Sequence, residues 1–449
     1  MLNALGLLKQ RRFLPLFATQ FLGAFNDNLF KTSMVLFATY AIFTDPHSEF
    51  YFNCAATGAA ILPFVFLSAL SGQLADSHDK ARIIRIVKTV EIGIMLVGAG
   101  GLLIAKAGYT TAGLSLMLGT VLALGVHSTF FGPIKYAILP QHLEPDDILG
   151  GTGLVEAGTY LAILLGTVAA GWIPIEAAAI GVLVVAVIGW FMGRQVPPAP
   201  REGPPLQLNY NPFTASWRLI SATLHIRRLF LAIIAISFFW TIGAVLIIIF
   251  PPLVKNVLTA DKEVASLAIA IFSIGVAIGS VVINTMLKGE ISARYSPMSV
   301  IAMGAFVVLF SFLCRNWTPA AGGGLYSWQA FLAEPRAVGI LATLLAIATT
   351  GGMFVVPLYA FLTTTVEKDQ TARTVAANNI VNCFAMTIGS VLAFAISAAG
   401  VSSADMLFVV AETSTTAAAE VDRLVRAVVV KANGAVQSTQ TSIEQATDV

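Results

Sequence analysis

Eleven separate apolar runs, each about as long as a bilayer is thick, divide this chain. A helix rises about 1.5 Å per residue and the hydrocarbon core measures about 30 Å, so roughly 20 apolar residues make one crossing. The runs lie at about 13–43, 54–75, 83–105, 109–139, 151–172, 174–193, 228–254, 264–287, 297–314, 337–364 and 374–400. Charge agrees: only 11% of the 449 residues are Asp, Glu, Lys or Arg, against about 25% in soluble domains. A bilayer admits helices or closed barrels, and the short alternating segments of a barrel do not occur here. The expected class is therefore an all-α integral membrane protein. No cleavable signal peptide is expected, because Met1–Arg12 is basic and the run after it is too long for one. Cys54, Cys314 and Cys383 lie in or beside apolar runs without metal-like spacing, and read as small core residues.

Basic residues set the orientation. Lys9, Arg11 and Arg12 precede the first run; Lys80, Arg82 and Arg85 follow the second; Arg194, Arg201, Arg218, Arg227 and Arg228 surround the stretch after the sixth. Lys288, Arg294, Lys368 and Arg373 fall on the same side, whereas the opposite loops hold only Lys106, Lys255, Lys262, Arg315 and Arg336. The N-terminus and the central linker are expected in the cytoplasm. The linker, "VPPAPREGPPLQLNYNPF", is proline-rich and semi-rigid. Asn211 then suits an N-cap with Pro212 at the first helical position, and Phe213, Trp217, Ile220 and Leu224 form one apolar stripe. This pattern predicts an amphipathic helix on the membrane surface that bridges the two halves.

The halves repeat. "FFGPIKYAIL" in the fourth run matches "FVVPLYAFL" in the tenth, with Pro133 and Pro357 224 positions apart. "LLGTVAAG" in the fifth matches "TIGSVLAF" in the eleventh, with Gly166 and Gly389 offset by 223. "GQLADSHDKAR" (Gly72–Arg82) after the second run has a counterpart in "KGEISAR" after the eighth. Two parallel repeats around a central linker are the design of the major facilitator superfamily. The domains then read as an N-terminal six-helix bundle over 1–193, a linker over 194–227, a C-terminal bundle over 228–433 and a disordered tail over 434–449.

"QFLGAFNDN", "GQLADSHDKAR", "GPIKYAIL", "GLVEAGTYLAILLGTVAAG" and "GGMFVVPLYAFL", in this order over about residues 10 to 400, resemble the bacterial lysophospholipid transporters. They also resemble the transporter portion of longer proteins fused to acyltransferase and acyl-carrier-protein ligase domains. The resemblance implies movement of lysophosphatidylethanolamine-type lipids from the outer to the inner leaflet of a bacterial cytoplasmic membrane. It implies a lysophospholipid substrate, membrane lipids as surroundings, and an acyltransferase or acyl-carrier-protein ligase acting on the delivered lipid as a partner. The other expected function on this fold is efflux of drugs or small metabolites. No catalysis, cofactor, metal or nucleic acid is expected, and no G-x-x-x-x-G-K-S/T occurs. His142 and Asp147 in "HLEPDD" match the H-x-x-x-x-D of acyltransferases, but in so short a loop the match reads as chance.

The polar residues inside the runs are the candidate site. A charge at the bilayer centre costs roughly 2.5–3.5 kcal/mol on insertion scales, so such residues face one another or a cavity. Asn26, Asp27, Asn28 and Lys31 in the first run form either an internal ion pair or a surface for a polar headgroup, Asp27 meeting an ammonium and Lys31 a phosphate. The resemblance links the aspartate at Asp27 to substrate recognition. Lys135 is a phosphate anchor or joins Asp76, Arg82 and Glu156 in a cytoplasmic gate, to which Gly72 and Lys80 of the loop motif also belong. Asn378, Asn379 and Asn382 in the eleventh run are expected on one side, as interhelical glue or as cavity lining. Trp240 and Phe238 read as packing. The tail departs from the family: Glu412, Glu420, Asp422, Arg423, Arg426 and Lys431 interrupt it, and Val421, Leu424, Val425 and Val428 make only a stripe, so the twelfth helix is expected to be irregular.

Overall fold

Polar interruptions end the helices where the apolar runs end. The computed structural model describes residues 6–144, 147–201, 209–287, 293–320, 324–364, 371–402 and 405–412. The N-terminal half holds α1 (Leu14–Phe37), α2 (Pro46–Ser77), α3 (Lys80–Lys106), α4 (Thr110–Ala137), α5 (Ile148–Trp172) and α6 (Ile175–Arg194). The linker carries α7 (Pro212–Leu224). The C-terminal half holds α8 (Arg227–Asn256), α9 (Lys262–Leu287), α10 (Ser296–Arg315), α11 (Pro335–Thr364) and α12 (Thr371–Ala398). Eleven crossings were expected; nine of the described helices are long and apolar enough to cross a membrane, and α5 contributes a shorter apolar stretch, Ala157–Trp172. Helix α1 is not among the nine, because Gln20, Asn26, Asp27, Asn28 and Lys31 dilute its hydropathy. It survives as a helix by turning those groups toward protein, where Gln20 and Asn26 are buried.

Caps settle several ends. Asp79 starts α3 by accepting from the backbone N–H of Ala81 at 2.9 Å, and it accepts from Ala199 N–H at 3.0 Å, fixing the first linker residues to the loop motif. Arg85 donates to the Val196 carbonyl at 3.0 Å, and Val196 and Ala199 are buried. Asn211 caps α7 as expected, its side-chain oxygen accepting from Phe213 and Thr214 N–H at 3.1 and 3.2 Å. Helix α7 packs on α2 and α12, one from each half, with a Phe66–Phe213 ring contact at 5.4 Å. After α12 the chain turns at Gly400 (φ +89°) into a helix over 405–412, whose Met406, Leu407, Val410 and Ala411 are buried in the C-terminal core. The expected irregular helix beyond that point and the 434–449 tail lie outside the described residues.

The repeat is physical as well as textual. Gly166 of α5 lies against α1 so closely that a β-carbon there would sit 2.5 Å from the Phe25 carbonyl oxygen. At the paired position in α12, a β-carbon on Gly389 would meet Thr241 Cγ2 of α8 at 2.4 Å. Both glycines therefore let the fifth helix of a repeat pack closely on its first, Gly166 against backbone and Gly389 against a side chain, the small-residue packing that membranes favour. The two differ in what gives way. Gly166→Ala opposes a backbone carbonyl and is expected to cost about 1–3 kcal/mol, whereas Gly389→Ala meets a methyl group that a rotamer change moves and should cost less. Thermal unfolding of the two purified variants measures the difference.

The halves meet at the end opposite the linker. Leu36, Phe50 and Cys54 of the N-terminal half join the core of the C-terminal half. There Lys262 Nζ donates to the Ile173 carbonyl at 2.9 Å, Tyr51 packs on Phe394 at 4.6 Å, and Trp172 on Trp328 at 5.3 Å. Val281, Met298, Ile180 and Val391 lie exposed on the outside of the helices, the arrangement expected of a surface facing lipid.

Candidate functional site

A cavity of about 170 Å³ opens beside the centre of α1, lined by Asp27, Asn28 and Lys31, by Ala60 and Phe64 of α2, and by Val121, Leu124, Gly125 and Ser128 of α4. One wall is charged and amide-bearing, the rest largely apolar. Ser128 donates to Asp27 Oδ2 at 2.7 Å, while Asp27 Oδ1 has no hydrogen-bond partner among the described residues. Lys31, one turn further along α1, makes no ion pair with Asp27 among the described residues. Asn28 donates to the Ala24 carbonyl at 2.8 Å, which leaves its side-chain oxygen for the cavity. Asn26 points the other way, is buried, and donates to Glu91 Oε1 at 3.2 Å.

Glu91 anchors the layer behind this wall. It pairs with Lys88 one turn earlier in α3, lies 3.2 Å from His127 Nε2, and is buried with both of them. Lys88 fits because glycines face its stem. A β-carbon on Gly189 or Gly193 of α6, or on Gly23 of α1, would come within 3.1–3.3 Å of Lys88. His127 and Ser128 are neighbours on α4, as Asn26 and Asp27 are on α1. Each neighbouring pair thus sends one residue to Glu91 and one to the cavity wall. Sequence reasoning passed over Lys88, Glu91 and His127, although opposite charges at i and i+3 inside an apolar run were the available signal.

A second, much smaller cavity, about 30 Å³, lies between the halves on the side away from the linker. Its lining includes Lys31, Asn53 and Ala56 from the N-terminal half and Ile248, Pro251 and Ile269 from the C-terminal half. Lys31 borders both cavities. Beyond this one, Glu49 and Lys255 close the seam. Lys255 Nζ lies 2.5 Å from Glu49 Oε1 and also donates to the Thr39 and Phe43 carbonyls; Asn256 donates to Glu49 Oε2 at 2.6 Å. Glu49 is fully buried. The π-helical turn Ala38–Ile42 at the end of α1 brings both carbonyls to the ammonium. Tyr40 donates to the Asp261 carbonyl at 3.3 Å across the same seam. Burial, with Glu263 beside it, pushes the Asp261 carboxyl up to about 6.

The other candidates are placed as follows. Lys135 Nζ donates to Thr159 Oγ1 at 3.4 Å, and Thr159 donates to Gln20 Oε1 at 2.8 Å, which joins α4, α5 and α1 two turns toward the linker end from Asp27. Arg82 is exposed, Lys80 is buried with its backbone N–H on the Ala199 carbonyl at 3.0 Å, and open space surrounds Gly72. The side chains of Asp76 and Glu156 lie outside the described set. In the C-terminal half, Asn378 and Asn382 are buried and donate to the Tyr359 hydroxyl at 3.5 and 3.3 Å. Trp240 donates to the same oxygen at 2.8 Å, and Ser237 donates to Asn382 Oδ1 at 2.7 Å. Asn379 departs from the expected cluster: it is exposed, because consecutive helical residues stand about 100° apart. Trp240 does more than pack, since its indole N–H belongs to this network. His142 ends a one-turn helix, Leu139–His142, and is buried.

Comparison with known proteins agrees with this architecture. Residues 16–390 match the family model described as Major Facilitator Superfamily. A lysophospholipid transporter LplT from Cronobacter sakazakii is 26% identical over 391 residues, 84% of this chain and 85% of that protein. One of the same name from Salmonella typhi is 28% identical over 378 residues, 78% of each. Among solved structures, a peptide transporter POT in complex with sulfate superposes with a TM-score of 0.66 at 12% identity, over 92% of this chain and 95% of that one. A D-xylose–proton symporter gives 0.64 at 12% identity, over 91% and 97%. Two repeated helical halves about a central linker, a charged first helix beside a cavity, and a family model spanning most of both halves lead to one conclusion: the chain belongs to the Major Facilitator Superfamily.

Proposed function

We propose that this chain is a lysophospholipid transporter that works by alternating access, carrying lysophosphatidylethanolamine-type lipids from the outer to the inner leaflet of a bacterial cytoplasmic membrane. The observation that carries this reading is the wall of the α1 cavity. Asp27 lines it with a carboxylate oxygen that has no hydrogen-bond partner among the described residues, and Lys31 stands one turn away on the same wall. Phe64, Val121 and Leu124 complete the lining. A group with an ammonium and a phosphate satisfies the first two, and the hydrocarbon next to it suits the third. The relatives named LplT support the same substrate class. The chain acts as a carrier rather than an enzyme, and an acyltransferase or acyl-carrier-protein ligase uses the delivered lipid.

In this reading the linker end faces the cytoplasm, which suits the basic residues around α7. Phe213 and Trp217, exposed on α7, rest in the interfacial layer. The seam at Glu49 and Lys255 is then the closed outer end, and Asp27, Asn28 and Lys31 bind the headgroup. Asn378 and Asn382, both engaged with Tyr359, act as interhelical connectors of the C-terminal half. Lys135 with Gly72, Asp76, Lys80, Arg82 and Glu156 serves the inner gate. Purified protein in liposomes, supplied with labelled lysophosphatidylethanolamine in one leaflet, is expected to speed its appearance in the other. An unchanged leaflet distribution overturns the reading, and transport of a soluble drug instead would favour efflux.

A further inference from the structure

Glu49 and Lys255 do more than close a seam. Glu49 belongs to the first turn of α2, where the Asp45 cap accepts from Ser48 N–H at 2.9 Å, and Lys255 to the last turn of α8. Alternating access requires the two helices to part at this end. Parting leaves a carboxylate that has lost Lys255 and Asn256, and an ammonium that has lost Glu49 and two carbonyls. Uncompensated charges in a low-dielectric wall are costly, so a ligand that supplies both missing partners is favoured there. A zwitterion does so bond for bond: its ammonium replaces the Lys255 ammonium on Glu49, and its phosphate replaces the Glu49 carboxylate on Lys255.

We infer that the parted Glu49–Lys255 pair is an outer entry site for a zwitterionic phosphate headgroup, whose binding there competes with closure of the seam. The inference rests on the lysophospholipid reading above. Lining residues connect the two sites: Pro251, one turn before Lys255, and Lys31 border the same small cavity between the halves, and Lys31 also lines the Asp27 cavity, so parting of the halves would widen this stretch into a path inward. The headgroup thus passes from one acid–base pair to a second. Leaving the first lets Lys255 return to Glu49, so the outer end closes behind the lipid.

The test compares two lysolipids that share a phosphate, only one of which carries an ammonium. Transport by the full chain in liposomes is measured for lysophosphatidylethanolamine and lysophosphatidylglycerol, with wild type, Glu49→Gln and Lys255→Met. Weakening of the seam acts on both lipids alike and cancels in their ratio. Glu49→Gln is expected to raise half-saturation for the ethanolamine lipid about tenfold relative to the glycerol lipid, the effect of losing one charge-assisted hydrogen bond. Lys255→Met should weaken both by similar factors. A second measurement avoids the variants: with spin labels on the exposed Thr44 and Leu325, the ethanolamine lipid added from outside should hold the ends apart at lower concentration than the glycerol lipid. Equal losses for both lipids in Glu49→Gln, or equal concentrations in the distance measurement, overturn the entry site. Transport of neither lipid by wild type overturns the lysophospholipid reading itself, and the entry site with it.

Discussion

Asp27→Asn is expected to fold like the parent and to lose lysolipid transport by about 10- to 150-fold, the range set by one charge-assisted hydrogen bond of roughly 1.5–3 kcal/mol. Folding survives because the hydrogen bond that Asp27 accepts comes from Ser128 at 2.7 Å, and an amide oxygen accepts the same proton. Transport fails because Oδ1, which has no hydrogen-bond partner among the described residues, loses its charge. Lys31 makes no ion pair with Asp27 among the described residues, so adding Lys31→Gln should restore neither yield nor transport. Folded yield by size-exclusion chromatography and transport in liposomes separate the outcomes. Well-folded Asp27→Asn that transports normally would end the headgroup assignment. Low yield rescued by the second substitution would make Asp27 and Lys31 a structural pair.

Lys255→Met should shift the conformational balance without substrate. It leaves Glu49, a fully buried carboxylate, with Asn256 as its one remaining side-chain donor among the described residues, and it removes the Lys255 donor from the Thr39 and Phe43 carbonyls. Breaking one side of a buried pair costs about 3–5 kcal/mol, a factor of roughly 10² to 10³ or more against the state closed at this end. Distances between labels on Thr44 and Leu325 should lengthen in Lys255→Met and recover in part when Glu49→Gln is added, since the stranded charge is then gone. Unchanged distances would show that apolar packing of Leu36, Phe50 and Cys54 against α8 closes the seam without help from the ion pair.

The helices were legible because hydropathy and proline spacing are local properties. Asn211 and Pro212 began α7 as their chemistry requires, and the offset of Gly166 from Gly389 marked two equivalent close approaches. Partners were less legible. Glu49 and Lys255 stand 206 positions apart in unremarkable loop-edge sequence, and only the docking of the halves joins them. An ion pair between Asp27 and Lys31 was one of two open readings, because i and i+4 share a helical face. The neighbouring α4 supplied Ser128 instead, a residue with no distinguishing mark in the sequence. Asn379 shows the reverse error, in which proximity along the chain was read as proximity in space although its helix turns it away from Asn378.

The Lys88–Glu91 pair constrains how this chain can drift. Losing Glu91 alone strands Lys88 inside the N-terminal bundle, and losing Lys88 alone leaves the buried Glu91 with the His127 and Asn26 contacts, either at several kcal/mol, whereas replacing a buried pair by apolar residues of similar volume is often neutral or better. Two acceptable sequences are therefore separated by intermediates that fold poorly. The facing glycines deepen the separation, because larger residues at Gly189 or Gly193 become admissible only after the lysine stem has gone. Along any route of single substitutions these positions form a ratchet: each glycine that enlarges after the lysine is lost removes the space through which it could return.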